Sequence, residues 1–122
     1  MIDVLLVAVG GGCGALARYG ISRAFGSRRL GSPPAILVAN VLASTFLGFL
    51  IPFAHGPWSA LLAVGFCGAL STYSTFSIDV LELATRPGSV RIGPPLVYAL
   101  LSVVLCVFGV GLGAFIGQAL AT

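Results

Sequence analysis

Four long runs of apolar residues, separated only by short segments rich in glycine, proline and arginine, govern what this chain can fold into. They cover about residues 4–21, 34–53, 58–84 and 95–120. A membrane-crossing helix needs about 20 mainly apolar residues, so each run can span a bilayer. Together with their links they use nearly all of the 122 residues, which leaves no room for a soluble catalytic domain. Charged residues are 7% of the chain, against about 25% in a typical soluble protein. A water-solvated surface cannot be built from that supply. The chain reads as a single all-α membrane domain, residues 1–122, of four transmembrane helices.

The links set the topology. Met1 to Val9 begins with an acid rather than a basic stretch, and its apolar run continues through GGGCGALARYG, so it reads as a retained first helix and not a signal peptide. Pro33 and Pro34 open the second run, since proline is tolerated in a first helical turn. The brief AHGPW link makes the second and third runs an antiparallel hairpin, with His55 and Trp58 placed as interfacial anchors. The net charge of +3 arises from six arginines against Asp3, Asp79 and Glu82. So few charges suit lipid headgroups rather than nucleic acid. Asp79 and Glu82 read as solvated, with Arg86 one turn beyond Glu82. With four helices, both termini and the AHGP link face one side, and the arginines gather on the other. The positive-inside rule then favours one fixed orientation with the termini outside.

The third run is the least ordinary. Its middle, GALSTYSTFS, carries five hydroxyl residues around Tyr73 and Phe76. Irregular backbone survives at bilayer depth only where protein buries it or a wet cavity receives it. A break near Gly68 to Thr72 would free carbonyls as cation ligands, as in discontinuous transporter helices; the plainer alternative is that the hydroxyls bond back to their own helix. Asn40, in LVANVLASTFLG, is costly in a membrane without partners. It marks either an interhelical hydrogen bond or a polar path shared with Ser44, Thr45, Thr72, Thr75, Tyr98 and Ser102. Tyr73 and Phe76, three apart, face the same way, as packing rings or as rings whose positive edges meet an anion. Arg18 either snorkels to the headgroups or raises the potential of an anion entrance.

Cys13, Cys67 and Cys106 are widely spaced in apolar runs and read as small buried hydrophobes. GGCGALARY (11–19) echoes GFCGALSTY (65–73), a faint sign of two parallel helical hairpins; either way, small-residue runs suit close helix packing. No Asp, Glu or Lys falls at the centre of a run, which leaves a proton-coupled exporter without an obvious carboxylate. No phosphate loop, metal cluster or catalytic triad is legible, so an enzyme is not expected.

In order along the chain, GGGCGALARY, VANVLAS, GFCGALSTYSTFS and YALLS resemble the CrcB/Fluc family of fluoride channels, over essentially the whole length. The resemblance implies two small subunits packed antiparallel, with two fluoride pathways around a central structural sodium ion. Carried over by motif, the carbonyls of Gly68 and Ser71 would bind sodium, and Asn40, Tyr73 and Phe76 would line fluoride sites. Thr72, Ser74 and Thr75 would supply hydroxyls near the break, and Tyr98 and Ser102 would continue the polar track. The family's usual TTFSTF is STYSTF here. A carbonyl ligand tolerates Ser71 in place of threonine, whereas Tyr73 adds a phenol that could donate to fluoride or occlude the path.

The implied activity is passive conduction that rids the cytoplasm of fluoride across a prokaryotic plasma membrane. A neutral, narrow path with amide, hydroxyl and ring-edge donors replaces the ion's hydration in small steps. The arginine bias points to a dimer with an oppositely inserted homologue, the alternative being a dual-topology homodimer. The competing functions are a small multidrug or cation exporter and a non-conducting helical assembly factor.

Overall fold

The computed structural model describes residues 1–26, 32–85, 87 and 92–122. It has four helical spans long and apolar enough to cross a membrane. Helix α1 covers Ile2–Ala24 and α2 covers Pro33–Leu50. The third span opens as a π-helix, Ser59–Cys67, runs on through the short α3, Gly68–Leu70, and resumes after a break as α4, Tyr73–Ala84. Helix α5 covers Gly93–Ala121.

Local chemistry sets the ends. Helix α1 stops where Gly26 takes a φ of +69° and its N–H bonds the Arg23 carbonyl at 3.0 Å, a left-handed turn that glycine adopts freely. Helix α2 starts from extended Ser32 with proline in its first turn. It ends at Leu50, three residues short of the sequence expectation. The amides of Phe53 and Ala54 both fold back on the Leu50 carbonyl, and Gly56, at φ +62°, turns the chain into the third span. The π-helical opening, with its widened i→i+5 turns, has no signature in the residue pattern. Arg28, Arg29, Arg86 and Arg91, on which most of the orientation argument rests, lie outside the described residues, as does the Glu82–Arg86 pairing.

Lipid is as apolar as leucine, so helix association in a bilayer depends on close backbone approach rather than the hydrophobic effect. Two glycine-rich seams supply it. On the first, a Cβ at Gly10 or Gly14 would overlap the carbonyl of Leu61 or Phe66, and one at Gly65 would lie 3.1 Å from the Gly10 Cα. The echoed segments therefore lie side by side, Gly65 against Gly10 and Gly11. On the second, Gly109, Gly113 and Gly117 of α5 meet Thr45 and Phe49 of α2, and Gly48 of α2 meets Val110 and Ala114 of α5. The AHGPW hairpin exists as a connection, but its two arms are not principal partners: α2 packs chiefly on α5, and α1 on the π-helix. Placement of the glycines decides this, not adjacency in sequence. Ala39, Ala43 and Leu70 form the buried centre, with Ala17, Ile21 and Phe66 around it.

Two expectations are corrected. Of the cysteines only Cys67 is buried; Cys13 is exposed and Cys106 half-buried. Asp79 is not solvated but 4% exposed, since α4 turns it inward, three residues from Phe76, against α5.

Candidate functional site

The break in the third span is held open by a side chain from another helix. Ser71 and Thr72 are both extended, at φ −75°, ψ 154° and φ −151°, ψ 126°. The Ser71 N–H still donates to the Cys67 carbonyl at 3.0 Å. The next donor in line, Thr72 N–H, would reach the Gly68 carbonyl in a continuous helix; here it donates to Asn40 Oδ1 at 2.8 Å. Asn40 Nδ2 donates in return to the Thr72 carbonyl at 3.3 Å. Thr72 is also the N-cap of α4, its Oγ1 accepting from Thr75 N–H at 3.4 Å. That hydroxyl donates to Thr75 Oγ1 and lies beside Ser74 Oγ, each at 3.3 Å. The carbonyls of Gly68 and Ser71 thus lose the amides that would have met them in an unbroken helix. The negative end of one half-helix and the positive end of the other are brought together at bilayer depth.

An aromatic row leads away from the break. The Tyr73 and Phe76 ring centroids are 6.2 Å apart, and Phe76 and Tyr98 are 5.4 Å apart. Tyr73 is 81% exposed, whereas Tyr98 is buried. Tyr98 Oη donates to Asp79 Oδ2 at 3.3 Å, and Ser102 Oγ to the Tyr98 carbonyl at 2.7 Å. Beside this row lies an open cleft of about 350 Å³, lined by Asn40, Ser44, Ser71, Thr72, Tyr73, Phe76, Ser102, Val103, Cys106 and Val107. A smaller one of about 140 Å³ adjoins it, with Gly68, Cys67, Ala43, Leu47 and Ala63 joined by the same Ser44 and Ser71.

Of the residues the sequence singled out, Asn40, Ser71, Thr72, Tyr73, Phe76 and Ser102 share the large cleft. Gly68 lines the small one. Ser74 and Thr75 lie in the first turn of α4, beside the Thr72 hydroxyl, without lining either, and Tyr98 stands behind Phe76. Arg18 is half-buried in α1, away from both clefts. Thr45 turns from the path and donates to the Val41 carbonyl at 2.8 Å. The break and the plainer back-bonding both occur, at different positions: Ser77 bonds back to the Tyr73 carbonyl at 2.9 Å, while the Thr72 amide turns to Asn40 at the break. Sequence reasoning missed Asp79 and Cys106. The signal for Asp79 was available, because a residue three beyond Phe76 shares its face; nothing marked Cys106.

A discontinuous span, tied to its neighbour by an asparagine and opening on a cleft that several hydroxyl residues line, defines a multi-pass membrane protein in which two half-helix ends meet at a break. Residues 5–114 match the CrcB-like protein family, Camphor Resistance (CrcB), and the chain belongs to that family. A protein of Ignicoccus hospitalis, named fluoride-specific ion channel FluC, is 41% identical over 125 residues, covering 98% of each chain. One of Shewanella amazonensis, with the same name, is 38% identical over 122 residues, covering 93% of this chain and 94% of its own. A third, of Nitrosomonas europaea, is 39% identical over 89 residues, covering 68% and 70%. All three are named as channels, not enzymes.

Proposed function

We propose that this chain is a subunit of a fluoride-specific channel through which the ion leaves the cytoplasm passively. The observation that carries the reading is the Asn40–Thr72 break beside the Tyr73–Phe76 ring pair: a cleft lined by an amide, hydroxyls and aromatic rings, with no charged side chain among the described residues that line it. Such a lining takes over the hydration shell of a small anion in weak steps, which allows exit as well as entry. Relatives matching nearly the full chain carry the fluoride-channel name.

The carbonyls of Gly68 and Ser71 suit a sodium ion, since hard oxygen donors at an unwound span are the chemistry that holds sodium elsewhere. When bound, it would supply a fixed positive charge beside the anion path. Two carbonyls are too few for a full shell, so a second subunit has to contribute its own. A partner packed antiparallel would also cover Tyr73 and the open side of the cleft. Either a second copy or an oppositely inserted homologue could serve, and the arginine bias of the sequence favours the homologue.

An exporter would need a carboxylate in the membrane. Asp79 is one, but it takes the Tyr98 hydroxyl and does not line the cleft, so the channel reading is preferred. The test is fluoride efflux from proteoliposomes, with chloride as the control anion and sodium present or withheld. Fluoride flux without chloride flux supports the reading. No fluoride flux, with sodium present and any opposite-bias homologue co-reconstituted, refutes it.

A further inference from the structure

Serine and threonine in a membrane helix commonly dispose of the hydroxyl proton by donating it to the carbonyl one turn back. Thr45, Ser77 and Ser102 do so, to Val41, Tyr73 and Tyr98 at 2.8, 2.9 and 2.7 Å. Ser44, in the same helix as Thr45, does not. Among the described residues neither its hydroxyl nor that of Ser71 has a hydrogen-bond partner, and neither residue has an interaction left unstated. Ser44 lies one turn from Asn40 on the same face of α2. Ser44 and Ser71 are the two residues that line both the 350 Å³ and the 140 Å³ clefts.

An anion is held by protons that are not already committed. Tyr98 and Ser102 have committed theirs, to Asp79 and to a backbone carbonyl. Asn40 keeps one of its two amide protons after the bond to Thr72. We propose that Ser44, with the Ser71 hydroxyl that lines the same two clefts, is a hydrogen-bond donor station for the conducted anion beside the Asn40 amide. Ser44 is thereby a specificity-determining residue, while Ser102 shapes the cleft wall, and Tyr98 backs Phe76, rather than donating to the ion. This rests on the fluoride reading given above.

The test compares fluoride efflux for the unaltered channel, Ser44→Ala, Ser71→Ala and Thr45→Val in proteoliposomes, with detergent-phase elution as the check on folding. Thr45 is the matched control, a neighbouring hydroxyl already committed to Val41 and absent from the cleft. Losing one donor to a charged partner predicts a fall of roughly ten- to hundredfold for each serine variant, with Thr45→Val unchanged. Wild-type flux in Ser44→Ala overturns the proposal while leaving the fluoride reading in place. An unaltered channel that passes no fluoride overturns both. If Ser44→Ala does not fold, Ser44→Cys, close in size but a weak donor, is expected to show the same fall; full flux in that variant also overturns the proposal.

Discussion

Asn40→Asp is the sharpest single probe of the site, because it changes one atom pair and adds one charge. A carboxylate at this position still accepts from Thr72 N–H, where the Oδ1 distance is 2.8 Å. It has no N–H to return to the Thr72 carbonyl, so the 3.3 Å bond from Nδ2 becomes a contact between two oxygens. Leaving such a partly buried acceptor unmet costs about 1 to 3 kcal/mol of stability. The larger effect falls on the anion. At about 4 Å and an effective dielectric of about 20, two like unit charges repel by about 4 kcal/mol. At about 1.4 kcal/mol per decade, that is roughly a thousandfold lower occupancy. A fluoride-selective electrode reading efflux from proteoliposomes should record a loss of that order. Asn40→Ala loses both bonds but gains no charge, so its flux should lie well above that of Asn40→Asp. Flux in Asn40→Asp within tenfold of the unaltered protein, or equal losses in the two variants, would refute the electrostatic reasoning.

Other consequences are read in separate assays. Gly113→Val drives side-chain atoms into the Thr45 carbonyl across the α2–α5 seam, and overpacking of this kind costs about 1 to 3 kcal/mol or more; thermal unfolding in detergent should fall, whereas Gly111→Ala, which meets open space, should melt near the parent. Tyr98→Phe removes the hydroxyl that donates to buried Asp79 and should destabilise by about 1 to 3 kcal/mol in the same melts, with Asp79→Asn milder because it leaves no unpaired charge. Phe76→Ile removes the ring between Tyr73 and Tyr98; fluoride efflux should drop at least tenfold while the protein still elutes as folded. Thr72→Val loses the cap of α4, worth about 0.5 to 2 kcal/mol, and circular dichroism melts should register it.

Much of this architecture is legible in the residues because the bilayer permits so few solutions. Length and apolar content place the four spans, and hydroxyls clustered at GALSTYSTFS place the break within two residues of where Ser71 and Thr72 lie. Asn40 declares itself through the cost of an amide in lipid. Helix pairing is not visible in the same way. It depends on which glycine face meets which, and both α1 and α5 carry glycines on more than one side: Gly11, Gly12 and Gly111 meet nothing, while Gly10, Gly14 and Gly113 sit in seams. The inward turn of Asp79 is only half legible, since its spacing from Phe76 puts both on one face but does not say which way that face points. A carboxylate near the end of an apolar run suggests water, and only the placement of Tyr98 in a span separated by a loop reveals its partner. The π-helical opening of the third span leaves no trace in residue type, since its widened turns are set by tertiary packing.

The bond between Thr72 N–H and Asn40 also bears on how the protein is made. A lone third span entering lipid has no partner for that amide except the Gly68 carbonyl, so it must insert as one unbroken helix to keep its backbone satisfied. Only when the second span arrives with its asparagine can the helix part at Ser71 without stranding a donor. The break is therefore tied to the docking of the second span against the third. A chain with alanine in place of Asn40 would still reach the membrane with four helices, but its third helix would open less readily, a smaller loss than the added charge of Asn40→Asp imposes. The channel's defining irregularity is in this sense a product of assembly, written into one residue of a neighbouring span.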